Sequence, residues 1–230
     1  MNDLWNSPYL KIDQPSAALT YEISDGQGAP LGRGTQAAGP EPRKFGGRLF
    51  GSGVGNERVV VQIAGLDGVP RVYVDRAPGS PIAIVGADGT VLGRFQKNMA
   101  AEAASFVQGT EPGPMGGRTV QSHYRILDGA DRPVCDIAWE EVEIRRGWTL
   151  DTSTDQAGDV SYGHLPSRGG RYCTITDMAG TQIARMDLNL DAAHQTVKDG
   201  YYLQINYQLP EPLRSLVIAI PIAFDMSRDL

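Results

Sequence analysis

Two cysteines, three histidines and several grouped acidic residues are the side chains of this 230-residue chain with the strongest claim to chemistry. Cys135 and Cys173 lie far apart with no Cys-x-x-Cys spacing, and His123, His164 and His194 are scattered, so spacing supports no zinc site. The expectation is two reduced, structural thiols and no cofactor. Asp187-Leu-Asn189-Leu-Asp191 has the opening spacing of a calcium loop, yet Ala192 stands where the turn glycine belongs and Lys198 where the closing glutamate belongs. Strand alternation accounts for it better, with Leu188 and Leu190 on one face and the polar residues on the other. The glycine-rich stretch from Gly26 to Gly55 lacks the Gly-Lys-Ser/Thr ending of a phosphate loop and precedes strand rather than helix patterning. No Ser-His-Asp or Cys-His set sits on a recognisable motif, although such partners assemble in space rather than in sequence.

One stretch carries binding chemistry. Arg43, Lys44, Arg48 and Arg58 alternate with Phe45, Leu49 and Phe50, the mixture that meets lipid phosphates with cations while apolar rings enter the headgroup layer. The plainer reading is a solvated connecting loop. Net charge of −6 makes the whole chain repel polyanions, which argues against nucleic acid as a partner. The first residues, Met1 to Tyr9, offer neither a basic leader nor an apolar signal core, so the expected location is cytoplasmic, at most peripheral to a membrane.

The elements that would position these residues follow from a repeated unit. Tyr21-Glu-Ile23-Ser-Asp25-Gly-Gln-Gly28-Ala-Pro-Leu31-Gly32-Arg33 matches Cys173-Thr-Ile175-Thr-Asp177-Met-Ala-Gly180-Thr-Gln-Ile183-Ala184-Arg185 position for position. Ile84, Gly86, Gly89, Leu92, Gly93 and Arg94 keep the same offsets, and Ile126, Asp128, Asp131, Val134, Cys135 and Asp136 form a looser copy. The unit reads as a β-hairpin: alternation buries the isoleucine, Asp and Gly reverse the chain, and alternation resumes. Asp25 and Asp177 are thus turn residues before they are ligands. The Gly or Ala after the second aliphatic residue suggests a crowded wall.

Extending the pattern places strands near 19–24, 30–36, 58–64, 69–75, 81–85, 90–97, 121–127, 132–138, 146–152, 171–176, 181–189 and 201–208. About twelve strands, 28 glycines and 15 prolines predict an all-β fold, mostly antiparallel, over a single domain spanning residues 1–230. Three connections interrupt it, Ala37 to Glu57, Asn98 to Arg118 and Thr152 to Gly170, and Met99 to Phe106 in the second has the composition of a short helix. After Pro210-Glu-Pro212 the chain is apolar on every side from Leu216 to Phe224, too short to cross a bilayer and long enough for a helix surrounded by protein, over about 212–225. Pro221 should loosen that helix, and Asp225 and Arg228 should mark its exit to solvent.

The repeated hairpins, the late strand Tyr201-Tyr-Leu-Gln-Ile-Asn-Tyr207 and the terminal apolar helix ending in Asp resemble the phospholipid scramblase and LURP-one-related branch of the Tubby C-terminal-like superfamily, from Leu10 to Asp225. That resemblance implies a closed barrel of about twelve strands around its C-terminal helix, and a non-enzymatic role at membrane lipids or with a protein partner. It also implies where the chain departs. With Ile205 as the anchor, Asp199 matches the first acid of the calcium-responsive segment, but Tyr201 and Pro212 replace later acids. The palmitoylated cysteine cluster and proline-rich tail have no counterpart. The alternative is an enzyme or small-molecule binder with a pocket among the long loops.

Overall fold

The computed structural model describes residues 3–15, 19–40, 57–108, 119–142, 171–190 and 199–227. Twelve strands close into one antiparallel barrel in which each strand pairs with its neighbours in sequence. They are β1 (Tyr9–Asp13), β2 (Thr20–Ser24), β3 (Pro30–Ala38), β4 (Val59–Gly65), β5 (Pro70–Arg76), β6 (Ile82–Gly86), β7 (Val91–Lys97), β8 (Thr119–Asp128), β9 (Pro133–Val142), β10 (Arg171–Asp177), β11 (Gln182–Leu190) and β12 (Asp199–Ile205). Helix α1 (Met99–Gln108) lies against β8, and helix α2 (Leu213–Ser227) ends the described chain. The barrel closes where β1 pairs with β12, Leu10 opposite Leu203 and Ile12 opposite Tyr201.

The expected fold class is borne out, with one addition to the strand list. β1 stood in no predicted strand, because five residues after Pro8, whose partners are β12 and β2, present no local hairpin signal. The predicted strand at 146–152 lies outside the described residues.

Five hairpins share one turn, since the amides of Gly28, Gly68, Gly89, Asp131 and Gly180 each bond the carbonyl three residues back, at 3.0 Å. In each the register slips by one residue just after a buried isoleucine: Ile23, Ile63, Ile84, Ile126 and Ile175. A type I turn closed by a left-handed residue gives that bulge. The left-handed position is glycine in four hairpins, and in the loosest copy it is Asp131 at φ 60°. The strands on either side of Gly65-Leu-Asp-Gly68 were expected, but the hairpin was not recognised as a copy of the repeat, because Arg71 and Val72 occupy the positions that are aliphatic and small in its sisters.

Because the strands alternate in direction, all five tight hairpins lie at one mouth of the barrel, called here the hairpin mouth. The connections 14–19, 39–58, 77–81, 98–118, 143–170 and 191–198 leave from the other, the loop mouth. β12 runs towards the hairpin mouth, so α2 enters there and points its C-terminus at the loop mouth.

Side chains alone fill a barrel of about eight strands, whereas twelve leave room for a helix. Arg214 to Ala223 and Met226 of α2 are all buried. The wall accommodates the helix with glycines. A Cβ on Gly93 would lie 2.8 Å from Leu216 Cδ2 and 2.2 Å from the Leu127 carbonyl oxygen, and one on Gly34 would lie 3.1 Å from Ile222 Cδ1.

Candidate functional site

The polar groups of the loop mouth converge on the end of α2. Inward parity along β5 runs Val72, Val74, Arg76, so a guanidinium arrives in the lumen where the apolar series would continue. Arg76 is 2% exposed and its Nη1 donates to the Met226 carbonyl at 3.0 Å, a cation at the negative end of the helix dipole. Parity does the same for Tyr21 on β2 and Tyr201 on β12, both buried. The Tyr21 hydroxyl donates to Asp225 Oδ2 at 2.6 Å and the Tyr201 hydroxyl to Asp225 Oδ1 at 3.2 Å. Asp225 was expected to mark an exit to solvent. It is half-buried instead and ties the helix to the wall at two points.

Aromatic rings complete the mouth. Phe224 stacks on Trp139 with centroids 4.2 Å apart and meets Tyr124 and Tyr201 edge-on at 5.5 and 6.3 Å. Phe95 stacks on Tyr124 at 4.9 Å. The Trp139 Nε1, buried in this cluster, has no acceptor among the described residues.

The residues singled out for lipid contact fall differently. Arg43, Lys44, Phe45, Arg48 and Phe50 lie outside the described residues, though the strands that bracket them, β3 and β4, end and begin at the loop mouth. Arg58 is described and already engaged: its Nε donates to Asp75 Oδ1 at 2.9 Å and its Nη2 to Asp75 Oδ2 at 2.5 Å. That fork holds the Arg58 guanidinium above its ordinary range, through the hydrogen bond first and the charge of Asp75 second.

The cysteines and the described aspartates have structural roles. Cys135 and Cys173 are fully buried free thiols, and burial pushes the Cys135 thiol up to about 12 and Cys173 upward as well. Neither is a thiolate nucleophile at neutral pH. Asp25 Oδ1 accepts from the Gln27 and Ala29 amides, both at 2.9 Å, and Asp177 Oδ1 accepts from Ala179 and Thr181 at 2.9 and 2.8 Å. Asp187 receives Arg185 Nη2 at 2.8 Å on the outer wall, so the first carboxylate of the calcium-like spacing serves an ion pair. Asp191, His164 and His194 lie outside the described residues. Among the described residues no three His, Cys, Asp or Glu side chains gather as metal ligands, and no helix is long and apolar enough to cross a membrane.

Comparison with protein-family models, curated proteins and solved structures returns no match. The site is therefore read from its own geometry.

Proposed function

We propose that this chain is a non-enzymatic barrel of the Tubby-like, scramblase and LURP-one-related kind, which binds anionic lipid headgroups or a protein partner at a membrane surface through its loop mouth. The observation that carries this reading is the polarity of the barrel. α2 fills the lumen and the tight hairpins close one end, so the long connections, with Arg43, Lys44 and Arg48 among Phe45, Leu49 and Phe50, all depart from the opposite end. Clustered connections on a rigid scaffold are where binding residues collect. Engagement of Arg58 with Asp75 leaves three cations for headgroups. At ~1 kcal/mol each they give attachment near or weaker than millimolar unless Phe45 and Phe50 insert.

The test is co-sedimentation with liposomes. Anionic liposomes, phosphoinositide-containing ones included, should bind the protein, neutral ones should not, and added salt should release it. Changing Arg43, Lys44 and Arg48 together to Glu should remove binding without lowering the melting temperature, as expected for charge changes in a connection between strands. Arg58 is kept in that variant because reversing it would oppose Asp75. Failure to bind any anionic lipid would sink the membrane reading.

The second reading, an enzyme or small-molecule binder at the same mouth, draws on the buried Trp139 Nε1 without an acceptor among the described residues. Against it, Tyr21, Tyr201, Arg76 and Asp225 spend hydrogen bonds on holding α2.

A further inference from the structure

The hairpin mouth holds buried donors for which the described chain supplies no acceptor. Residues 3–8 form a plug across that mouth: the amides of Asn6 and Ser7 bond the Asp3 carbonyl at 3.0 and 2.9 Å, and Leu4 packs against Gly32. Arg214, in the first turn of α2, reaches from the helix to the plug, its Nη2 donating to the Ser7 carbonyl at 2.5 Å. It is only 5% exposed, and its Nε has no acceptor among the described residues. Trp5, two residues before Ser7 and 7% exposed, leaves its Nε1 in the same condition. The Arg71 guanidinium lies over the Trp5 ring, 5.7 Å from its centroid.

A guanidinium in that place opposes three physical preferences. Burial disfavours its charge and lowers its pKa, the positive end of a helix repels a cation, and an unbonded buried donor costs its hydration. The charge of Glu211 offsets part of this, but its Oε2 accepts from the Ser215 amide at 3.2 Å and the Arg214 Nε keeps no acceptor among the described residues. Other carboxylates at this mouth keep their charge but take their bonds elsewhere, Asp3 from the Trp5 amide and Asn6, Asp67 from the Val69 amide, and Asp25, Asp88, Asp128 and Asp177 from amides of their own turns. The helix amides are occupied too, Arg214 N by the Pro210 carbonyl and Leu216 N by the Pro212 carbonyl, both at 3.0 Å. The helix therefore offers its field rather than free N–H groups.

We propose that the hairpin mouth is a binding site for a small oxyanion of the phosphate or phosphomonoester class, received by Arg214 Nε–H and Trp5 Nε1–H at the positive end of α2. Two buried N–H donors, one of them on a guanidinium, at the positive end of a helix select a ligand with separated acceptor oxygens over a cation. The phosphate of a lipid headgroup and a soluble phosphate compound share that chemistry. The site lies at the opposite end of the barrel from the loop-mouth surface and stands or falls independently of it.

The experiment titrates the full chain with inorganic phosphate against chloride at matched ionic strength. It follows the melting temperature and the indole ¹H–¹⁵N resonance of Trp5, assigned by its disappearance in Trp5→Phe. Phosphate should raise the melting temperature saturably and shift that resonance. Trp5→Phe, which keeps a ring beneath Arg71, should weaken phosphate about tenfold, as loss of one charge-assisted hydrogen bond does. Arg214→Gln should abolish the response, and if that variant does not fold, Trp5→Phe decides. Phosphatidylcholine vesicles with and without phosphatidic acid distinguish the sources. Binding to the acidic vesicles that phosphate competes away and Arg214→Gln abolishes assigns a headgroup, whereas phosphate binding without vesicle binding assigns a soluble compound. No saturable effect beyond chloride, or equal affinity in the parent protein and Trp5→Phe, would overturn the site and leave the donors to buried water.

Discussion

At the scale of the residue, burial converts reactive types into inert ones, with a sign that can be measured. Cys135 pairs across the sheet with Ile126 and Asp177, and Cys173 with Trp139 and Met186. Desolvation, joined at Cys135 by the charge of Asp136, keeps both protonated in the fold beyond the ordinary thiol value of 9.0. The folded state then holds protons that the unfolded chain releases. The stability tied to Cys135 is complete below pH 9.0 and is lost as pH rises towards about 12. Denaturant midpoints should fall across that window, less so in Cys135→Ala relative to its own neutral value, and native protein at neutral pH should resist thiol alkylation. A second pair of variants isolates the latch on α2. Tyr21→Phe leaves the Asp225 carboxylate one donor short and should cost about 1.5–3 kcal/mol of unfolding free energy. Tyr202→Phe, on an outer wall position that is 42% exposed, should stay within about 0.5 kcal/mol of the parent. The sequence contained a trace of this latch. Tyr21 and Arg76 keep the inward parity of apolar strands, and a polar residue at such a position needs a partner, but parity does not say that the partner lies in α2, 204 residues from Tyr21 and 150 from Arg76.

At the scale of the element, the hairpin repeat was legible because turn chemistry is local: Asp and Gly at fixed spacing dictate the reversal and the bulge wherever they occur. The missed strand has the opposite cause, since β1 exists only through β12 and β2. The hairpin at Gly65 was legible as two strands but not as a fifth copy of the repeat, because Arg71 and Val72 stand at the flanking positions. The apolar helix was legible for a further reason, since an element apolar all round has few places to go besides the inside of a barrel. Of the Gly and Ala positions read as a crowded wall, Gly93 and Ala184 are buried, with Leu216 of α2 against Gly93, and Gly32 is half-buried against Leu4. Gly93→Ala should therefore cost about 1–3 kcal/mol, because its Cβ would meet backbone that cannot yield. Ile220→Asp places an unpaired charge at the fully buried centre of α2, a cost of several kcal/mol against a total stability of roughly 5–15. Soluble Ile220→Asp protein with unchanged melting would contradict a helix packed within the wall.

At the scale of the whole molecule, α2 is bonded through side chains at both mouths. Its first turn holds the plug through Arg214 and the Ser7 carbonyl, and its last turn holds the wall through Asp225, Tyr21 and Tyr201, with Arg76 on the Met226 carbonyl. Neighbouring strands pair in sequence order, so a chain without α2 could still form hairpins, but their inner faces would remain without a core. Loosening either end of the helix should therefore release the other. Trp5 and Trp139 report on the two mouths, since Trp5 lies in the plug and Trp139 stacks on Phe224. With Trp148 and one of these two replaced by Phe, the fluorescence of the survivor follows one mouth alone. The two denaturant transitions should coincide with each other and with far-ultraviolet circular dichroism, as a single cooperative unit requires. Tyr21→Phe, a change at the loop mouth, should move the Trp5 transition at the hairpin mouth as far as it moves the Trp139 transition. A Trp139 transition that shifts while that of Trp5 stays in place would mean that the helix does not couple the two ends.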